Sequence, residues 1–318
     1  MRLANNLSGF ANLAKFASVT LLLSGLCVAP SLAQQAGQKT FSSPQEASAA
    51  LFQATKNNDE GTLLQVFGPD GKTIVSSGDQ AEDTENRARF VKAYEQMSRL
   101  VKEPDGTVCL YIGDRNWPYP IPIVNKGNHW YFDTAAGKKE ILYRRIGRNE
   151  MSAMKICEQL VAAQKEYFQQ HGEYAQKIYS DAGKQNGLYW KAANGQPESP
   201  IGPLVAQAVT EGYATSQSAP PVPYRGYYFH VLTAQQNGQS YLSNGKMANG
   251  FAFVAYPALY RSSGVMAFIV DEDGVIYEKD LGKQTDTIAK SMKQYNPAAG
   301  WQKTDQEQQQ AASEPPPK

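Results

Sequence analysis

Pro104-Asp105-Gly106-Thr107-Val108-Cys109-Leu110-Tyr111-Ile112 marks the point where the pattern of the chain changes. Pro104-Asp105-Gly106 reads as a turn, and Val108 to Ile112 as a β-strand. Upstream the apolar residues fall at helical spacing. Ser43-Pro44-Gln45-Glu46 is a helix start: Ser43 caps, Pro44 suits the first helical position, and Glu46 reaches back as a capping box. Ala47, Ala50, Leu51 and Ala54 follow at helical spacing. A second helix carries Leu63, Leu64, Val66 and Phe67 and stops at Gly68-Pro69. A third starts near Asp79 and sets Phe90, Val91, Tyr94, Met97 and Leu100 on one face.

Downstream the period is that of strands. Pro118, Pro120 and Pro122 alternate with Tyr119, Ile121 and Ile123, so donors are lost from one side only and the segment reads as an extended edge strand. Lys126-Gly127-Asn128 turns into a strand over His129 to Phe132. Helices followed by a small antiparallel sheet define a first α+β domain over residues 40–145.

Arg144, Arg145, Gly147 and Arg148 read as a connector. A long helix then runs from Asn149 to His171, with Met154, Cys157, Leu160, Val161, Gln164 and Phe168 in one stripe, and Gly172 ends it. The region from Gly187 to Pro203 is irregular, with a short helix expected at Leu204 to Glu211 and a rigid loop at Pro220 to Pro223. Strands follow over Gly226 to Thr233, Phe251 to Tyr256 and Val265 to Val270. Asp273-Gly274 then makes a hairpin into Val275 to Lys279, and a last helix spans Thr285 to Tyr295. These make a second α+β domain over residues 149–300. The Gln, Glu and Pro-rich tail, 302–318, has the composition of a disordered segment. The fold class expected is therefore α+β in two domains, each with helices packed on a small antiparallel sheet.

The N-terminus is of another kind. Arg2 and Lys15 give a weakly positive start, Ala17 to Ala29 is apolar, and Ser31-Leu32-Ala33 offers small residues for cleavage. Residues 1–33 thus read as a secretory signal peptide, the apolar run being short for a membrane span. A retained anchor is the alternative. A lipoprotein at Cys27 is disfavoured by Leu26 just before it. The expected location is periplasmic or secreted, with no transmembrane segment after cleavage. Of 318 residues, 42% are hydrophobic and 11% aromatic, enough for real cores. The formal charge of +1 lacks the basic excess of nucleic-acid-binding domains, so no nucleic-acid partner is expected.

Several phrases together are similar to one bacterial family: Trp117-Pro118-Tyr119-Pro120-Ile121-Pro122, Phe132-Asp133-Thr134-Ala135-Ala136-Gly137, Arg145-Ile146-Gly147-Arg148-Asn149-Glu150, Gly187-Leu188-Tyr189-Trp190, Gly226-Tyr227-Tyr228-Phe229, Gly264-Val265-Met266 and Asp280-Leu281-Gly282. The chain resembles the secreted family catalogued as domain of unknown function 2950, a resemblance that implies no activity. The second half also resembles the globular part of pilins and pseudopilins, where a long helix packs on a small antiparallel sheet. The whole domain ahead of Asn149 departs from that pattern. The first half is similar to the cone-shaped α+β modules of the nuclear-transport-factor-like group.

Chemistry-bearing patterns are sparse. His129, His171 and His230 stand in no metal-ligand spacing, so neither a metal nor a cofactor is expected. Cys109 and Cys157 read as separate core residues, Cys157 on an apolar stripe where a thiolate is disfavoured. Asp271-Glu272-Asp273-Gly274 is too short for a calcium loop and reads as a hairpin. Arg144, Arg145 and Arg148 are a candidate anion site, but Glu140 and Glu150 flank them and a neutralised surface is the plainer account. The aromatic load nominates Trp117, Tyr119, Trp130, Tyr189, Trp190 and Tyr228 as a candidate binding surface, while core and seam packing explains the same residues. The expected function is an exported, non-enzymatic binding or assembly module whose partner is an envelope protein or polymer. One alternative is a hydrolase or ligand-processing enzyme using a cavity in the first domain, with Asp114, Arg115 and Asp133 as its polar groups. Another is a pilus-related accessory protein.

Overall fold

In a computed structural model, which describes residues 35–76, 80–192, 198–205 and 223–304 (the side chains of 80–82 excepted), Ser43 opens the first helix as its side chain dictates. Its hydroxyl accepts from Glu46 N–H, and α1 runs Pro44–Lys56. Glu46 reaches one residue further back than a capping box requires, accepting from the backbone N–H and hydroxyl of Ser42. Asp59 caps α2, Glu60–Phe67, in the same way. A short turn leads to α3, Lys72–Val75, and then to α4, Gln80–Gln96. The expected signal peptide, the end of the Leu204 to Glu211 helix, the start of the Pro220 to Pro223 loop and the tail from 305 onward lie outside the described residues.

The fold is α+β. The first sheet holds β1 (Ser98–Lys102), β2 (Val108–Ile112), β3 (Trp117–Pro118), β4 (Ile123–Lys126) and β5 (His129–Phe132), in the order β1-β2-β4-β5 with β3 also on β2. Met97 and Leu100 do not extend the face of α4. The helix ends at Gln96, and Ser98 to Lys102 pairs antiparallel with β2 across the turn at 104–106. Of the proline segment from Trp117 to Pro122, only the first two residues are strand, with β2 as their one partner, as at an edge. Trp117 and Pro118 pair with Ile112 and Tyr111, and Ile123 pairs with Val108, so β3 and β4 are two pieces of one interrupted strand beside β2. Pro120 and Pro122 sit where the ladder breaks, which is where a missing N–H costs least.

The connector expected at Arg144 to Arg148 is helical. Asp133 caps α5, which runs unbroken over Thr134–His171 for 38 residues and ends at Gly172 in the left-handed conformation. A lone glycine costs a helix about 1 kcal/mol, too little to break a cooperative run extended on both sides of Gly147. At Gly137 the residue type is forced, since a Cβ there would lie 2.5 Å from Ile121. Helix α5 thus crosses the proline segment in direct contact.

The second sheet is fully antiparallel. It contains β6 (Tyr227–Leu232), β9 (Ala252–Pro257), β10 (Met266–Asp271), β11 (Tyr277–Asp280) and β12 (Gln302–Lys303), in the order β12-β11-β10-β9-β6. A two-stranded ribbon, β7 (Leu242–Ser243) and β8 (Lys246–Met247), stands apart. Ordered structure continues through β12 into the first residues of the expected tail. All six residues of β9 are buried, so both its faces are covered, and both α5 and α6 (Thr285–Ser291) touch it. Met154, Cys157, Leu160, Val161 and Gln164 are buried as their spacing predicts, whereas Phe168 is 38% exposed and stacks on Tyr174. Two cores result. One gathers Phe41, Leu51, Phe67, Ile123 and Phe132, and the other gathers the α5 stripe with β9 and β10.

The second core is stapled to α5 by polar contacts. Glu150 Oε1 accepts from the N–H groups of Val265 and Met266 at 2.8 and 3.0 Å, and Asn149 Nδ2 donates to Ser263 O at 2.8 Å. Deeper in, Gln164 exchanges two hydrogen bonds of 2.8 Å with the backbone of Ala175. Leaving a buried donor without its acceptor costs roughly 1–3 kcal/mol. Glu150→Ala should therefore lower unfolding stability by roughly 2–4 kcal/mol, and Glu150→Gln, which keeps an acceptor oxygen, by clearly less. Equal losses in urea titrations of the two variants would show that the carboxylate does not act through those two N–H groups.

Candidate functional site

The helices and sheet of the first half enclose a cavity of about 780 Å³, within the size range of ordinary small-molecule pockets. Its walls follow from the helical stripes. Leu51 of α1, Leu63 and Phe67 of α2, Val75 of α3 and Ile112 of β2 are all buried and line it. Half-buried Ile74, Phe90 and Tyr119 extend the apolar surface outward. Phe90 and Tyr119 meet edge to face at 5.4 Å, and Tyr119 meets Trp117 at 6.3 Å. Trp117, 45% exposed, stands at the rim.

Among the described residues the charged lining is Arg87, Arg89 and Arg148 with one acid, Asp83, beside the neutral Thr55 and Asn86. Asp83, Arg87 and Phe90 recur at three- and four-residue spacing, so they share one face of α4. Arg87 is held by Glu60 at 3.0 Å and by Val75 O at 3.3 Å, while its buried Nε–H has no hydrogen-bond partner. Arg89 is exposed and takes Asn86 and Glu85 as partners. Arg148 projects from the middle of α5 and has no ion pair or hydrogen bond among the described residues.

Of the arginine cluster, Arg144 alone is neutralised by an ion pair, while Arg145 and Arg148 are exposed to solvent. Arg144 pairs with Glu140 at 2.7 Å, donates to Pro118 O at 2.7 Å and lies 5.1 Å over the Trp117 ring, fixing the rim. Glu150 is engaged by the second sheet and does not compensate Arg148.

Of the six nominated aromatics, the structure brings only Trp117 and Tyr119 to this cavity. Trp130 sits on β5, where its backbone exchanges two hydrogen bonds with Phe41. Tyr189 pairs with Tyr179 at 5.9 Å, and Tyr228 lies against Tyr256 at 5.6 Å on the second sheet. Trp190 is 5% exposed and fills the second core beside Tyr167. The polar groups nominated for a hydrolase do not reach the cavity either. Asp114 and Arg115 are exposed in the turn after β2, and Asp133 is spent on capping α5. What the sequence concealed is that Arg87 and Arg148 line one cavity. Arg148 stood out only as part of a candidate anion site, and Asp83 and Arg87 only as residues on the stripe of Phe90 and Tyr94.

A second concavity, about 540 Å³, is bounded by Gln235, Gln236, Tyr241, Asp271, Glu272 and Tyr295. Burial and the Glu272 carboxylate beside it push the Asp271 carboxyl up, opposed by hydrogen bonds from Asp273 N–H and the Tyr295 hydroxyl. Glu272 accepts from Phe251 N–H and crowds Gly250, whose φ of +103° already excludes other residues. Cys109 and Cys157 are free thiols, and burial pushes Cys157 up to about 12. No three metal-ligating side chains converge among the described residues. His171 stacks on Tyr167 at 4.1 Å. His230 is half-buried on β6, with its Nε2 3.1 Å from Met292 O.

The family described as protein of unknown function (DUF2950) matches residues 38–304, and the chain belongs to it. No curated protein and no solved structure matches the chain. No helix among the described residues is long and apolar enough to cross a membrane.

Burial holds the His230 imidazole below its ordinary value of 6.5, a shift that the bond to Met292 O partly opposes. The unfolded chain then binds the proton first as pH falls, so this contribution to stability is present above pH 6.5 and lost below it. His230→Gln should flatten the fall in melting temperature between neutral and mildly acid pH. An unchanged slope would mean that other groups set it.

Proposed function

We propose that this DUF2950 protein is exported by its N-terminal signal segment and serves in the bacterial envelope as a binding module, not as an enzyme. Its binding site, in this reading, is the cavity between the first sheet and helices α1 to α4. The observation that carries the reading is the lining itself: a buried apolar floor beneath a rim of aromatic and arginine side chains. That is the composition of a site that takes up a ligand and orients it by a few polar contacts. Among the described lining residues none is a histidine, cysteine or serine, the Thr55 hydroxyl donates to Leu51 O, and burial pushes the Tyr119 phenol up, away from ionisation. This set favours recognition over nucleophilic or proton-transfer chemistry.

Export has its own support in the apolar run ending at Ser31-Leu32-Ala33. The N-terminal residue of the protein recovered from its own envelope should be Gln34. Recovery of the unprocessed chain from the cytoplasm would end the envelope reading.

The site is tested by native mass spectrometry of the protein purified from its envelope fraction. A small-molecule adduct is expected on the wild type and should be lost in Ile74→Trp. That variant places an indole in the cavity from a half-buried position without disturbing the floor. An adduct that survives Ile74→Trp would place binding elsewhere, and a wild-type protein that carries none and binds none from an envelope extract would refute the binding reading.

A further inference from the structure

We propose that the cavity takes a single-tailed amphiphile with an anionic head, the tail lying against Phe67, Val75 and Phe90 and the head meeting Arg148 and Arg87. The proposal rests on the reading of this cavity as a binding site and specifies the class of its ligand.

The tail is argued from the floor. Phe67 and Val75 are 2% and 6% exposed, and Leu51 beside them 1%; of the buried polar residues in the lining, Thr55 spends its hydroxyl on Leu51 O and Asp83 stands on the arginine face of α4, so the floor itself is apolar. A volume of about 780 Å³ is far more than an inorganic anion fills and suits one ligand of ordinary size.

The head is argued from one buried, unmet donor and one exposed, uncompensated cation. Arg148 is exposed and has neither ion pair nor hydrogen bond among the described residues, and the nearest acid along its helix, Glu150, is bound to the β10 backbone. Arg87 is 12% exposed, held in place by Glu60, and has a buried Nε–H without an acceptor. A buried donor without a partner is unfavourable, and an anionic oxygen is the acceptor that relieves it most. Arg87 stands on α4 and Arg148 on α5, both on the cavity lining, so a head lodged between them is held by two different helices. Trp117, fixed by Arg144, supplies an apolar face at the rim. A neutral apolar ligand would leave the Arg87 Nε–H unmet and the Arg148 charge uncompensated, and a wholly polar one would waste the floor.

The test compares cis-parinaric acid with its methyl ester, two fluorescent probes with one tail and different heads, in titrations of the purified protein. The acid should bind about tenfold more tightly than the ester, a difference equivalent to about 1.4 kcal/mol. Arg148→Gln should bring the acid to the level of the ester and leave the ester unchanged. Both effects should shrink as salt is raised. Displacement of the acid by palmitate or by lysophosphatidate would identify a carboxylate or a phosphate head. Displacement by neither would count against the proposal. Equal binding of acid and ester, or a preference that survives Arg148→Gln, would overturn the anionic head. Failure of both probes on a protein that still carries an Ile74-sensitive adduct would overturn the amphiphile and leave the cavity as a site for something else. Failure of both with no adduct would remove the site and the proposal together.

Discussion

Helix α5 has to satisfy two cores at once, and most of the architecture follows from that demand. Its first turns lie on Ile121 so closely that only glycine fits at position 137. Its later turns bury Met154, Cys157, Leu160 and Val161 against the second sheet. Between them, Asn149 and Glu150 bind the backbone of Ser263, Val265 and Met266. These are contacts to main chain, so they fix where β10 begins whatever side chains it carries. Tyr227, whose hydroxyl donates to Met266 O, closes the same corner from β6.

The cavity is a product of the other end of this arrangement. α1 and α2 pack on β5, and α4 leans on β1 and β2, leaving a space that the available side chains do not fill. A close-packed interior would be more stable, because unfilled apolar volume forfeits dispersion contacts. The rim is built with more order than an accidental gap needs. Arg144 is held by Glu140 and Pro118, and in turn holds Trp117, which meets Tyr119.

Local chemistry made much of this fold readable in advance. Ser43, Pro44 and Glu46 announce α1, Gly172 ends α5, and Asp273-Gly274 turns β10 into β11, because caps and turns are decided by residues within a few positions of one another. The failures share a cause. Gly147 and three arginines looked like a connector because nothing local shows that tertiary packing holds α5 on both sides. Pro118, Pro120 and Pro122 looked like one continuous strand because the alternation does not reveal that pairing with β2 stops after Pro118 and resumes at Ile123. Arg148 was visible as a charge but not as an uncompensated one. Residues two apart on a helix face different ways, so Glu150 was never its partner. The site had the weakest signal of all, since its described lining comes from seven separate elements.

A helix shared between two cores carries a phase as well as a length. Each residue advances it by about 100°. One residue added or removed between Gly137 and Asn149 would swing the stripe of Cys157 and Leu160 out of line with Ile121 by that angle. The two halves cannot drift apart by small changes in this segment, as halves joined by a loop can. Only insertions close to whole turns preserve both contacts, so the spacing of these positions is a property the whole chain must keep in common, like the pitch of a gear train.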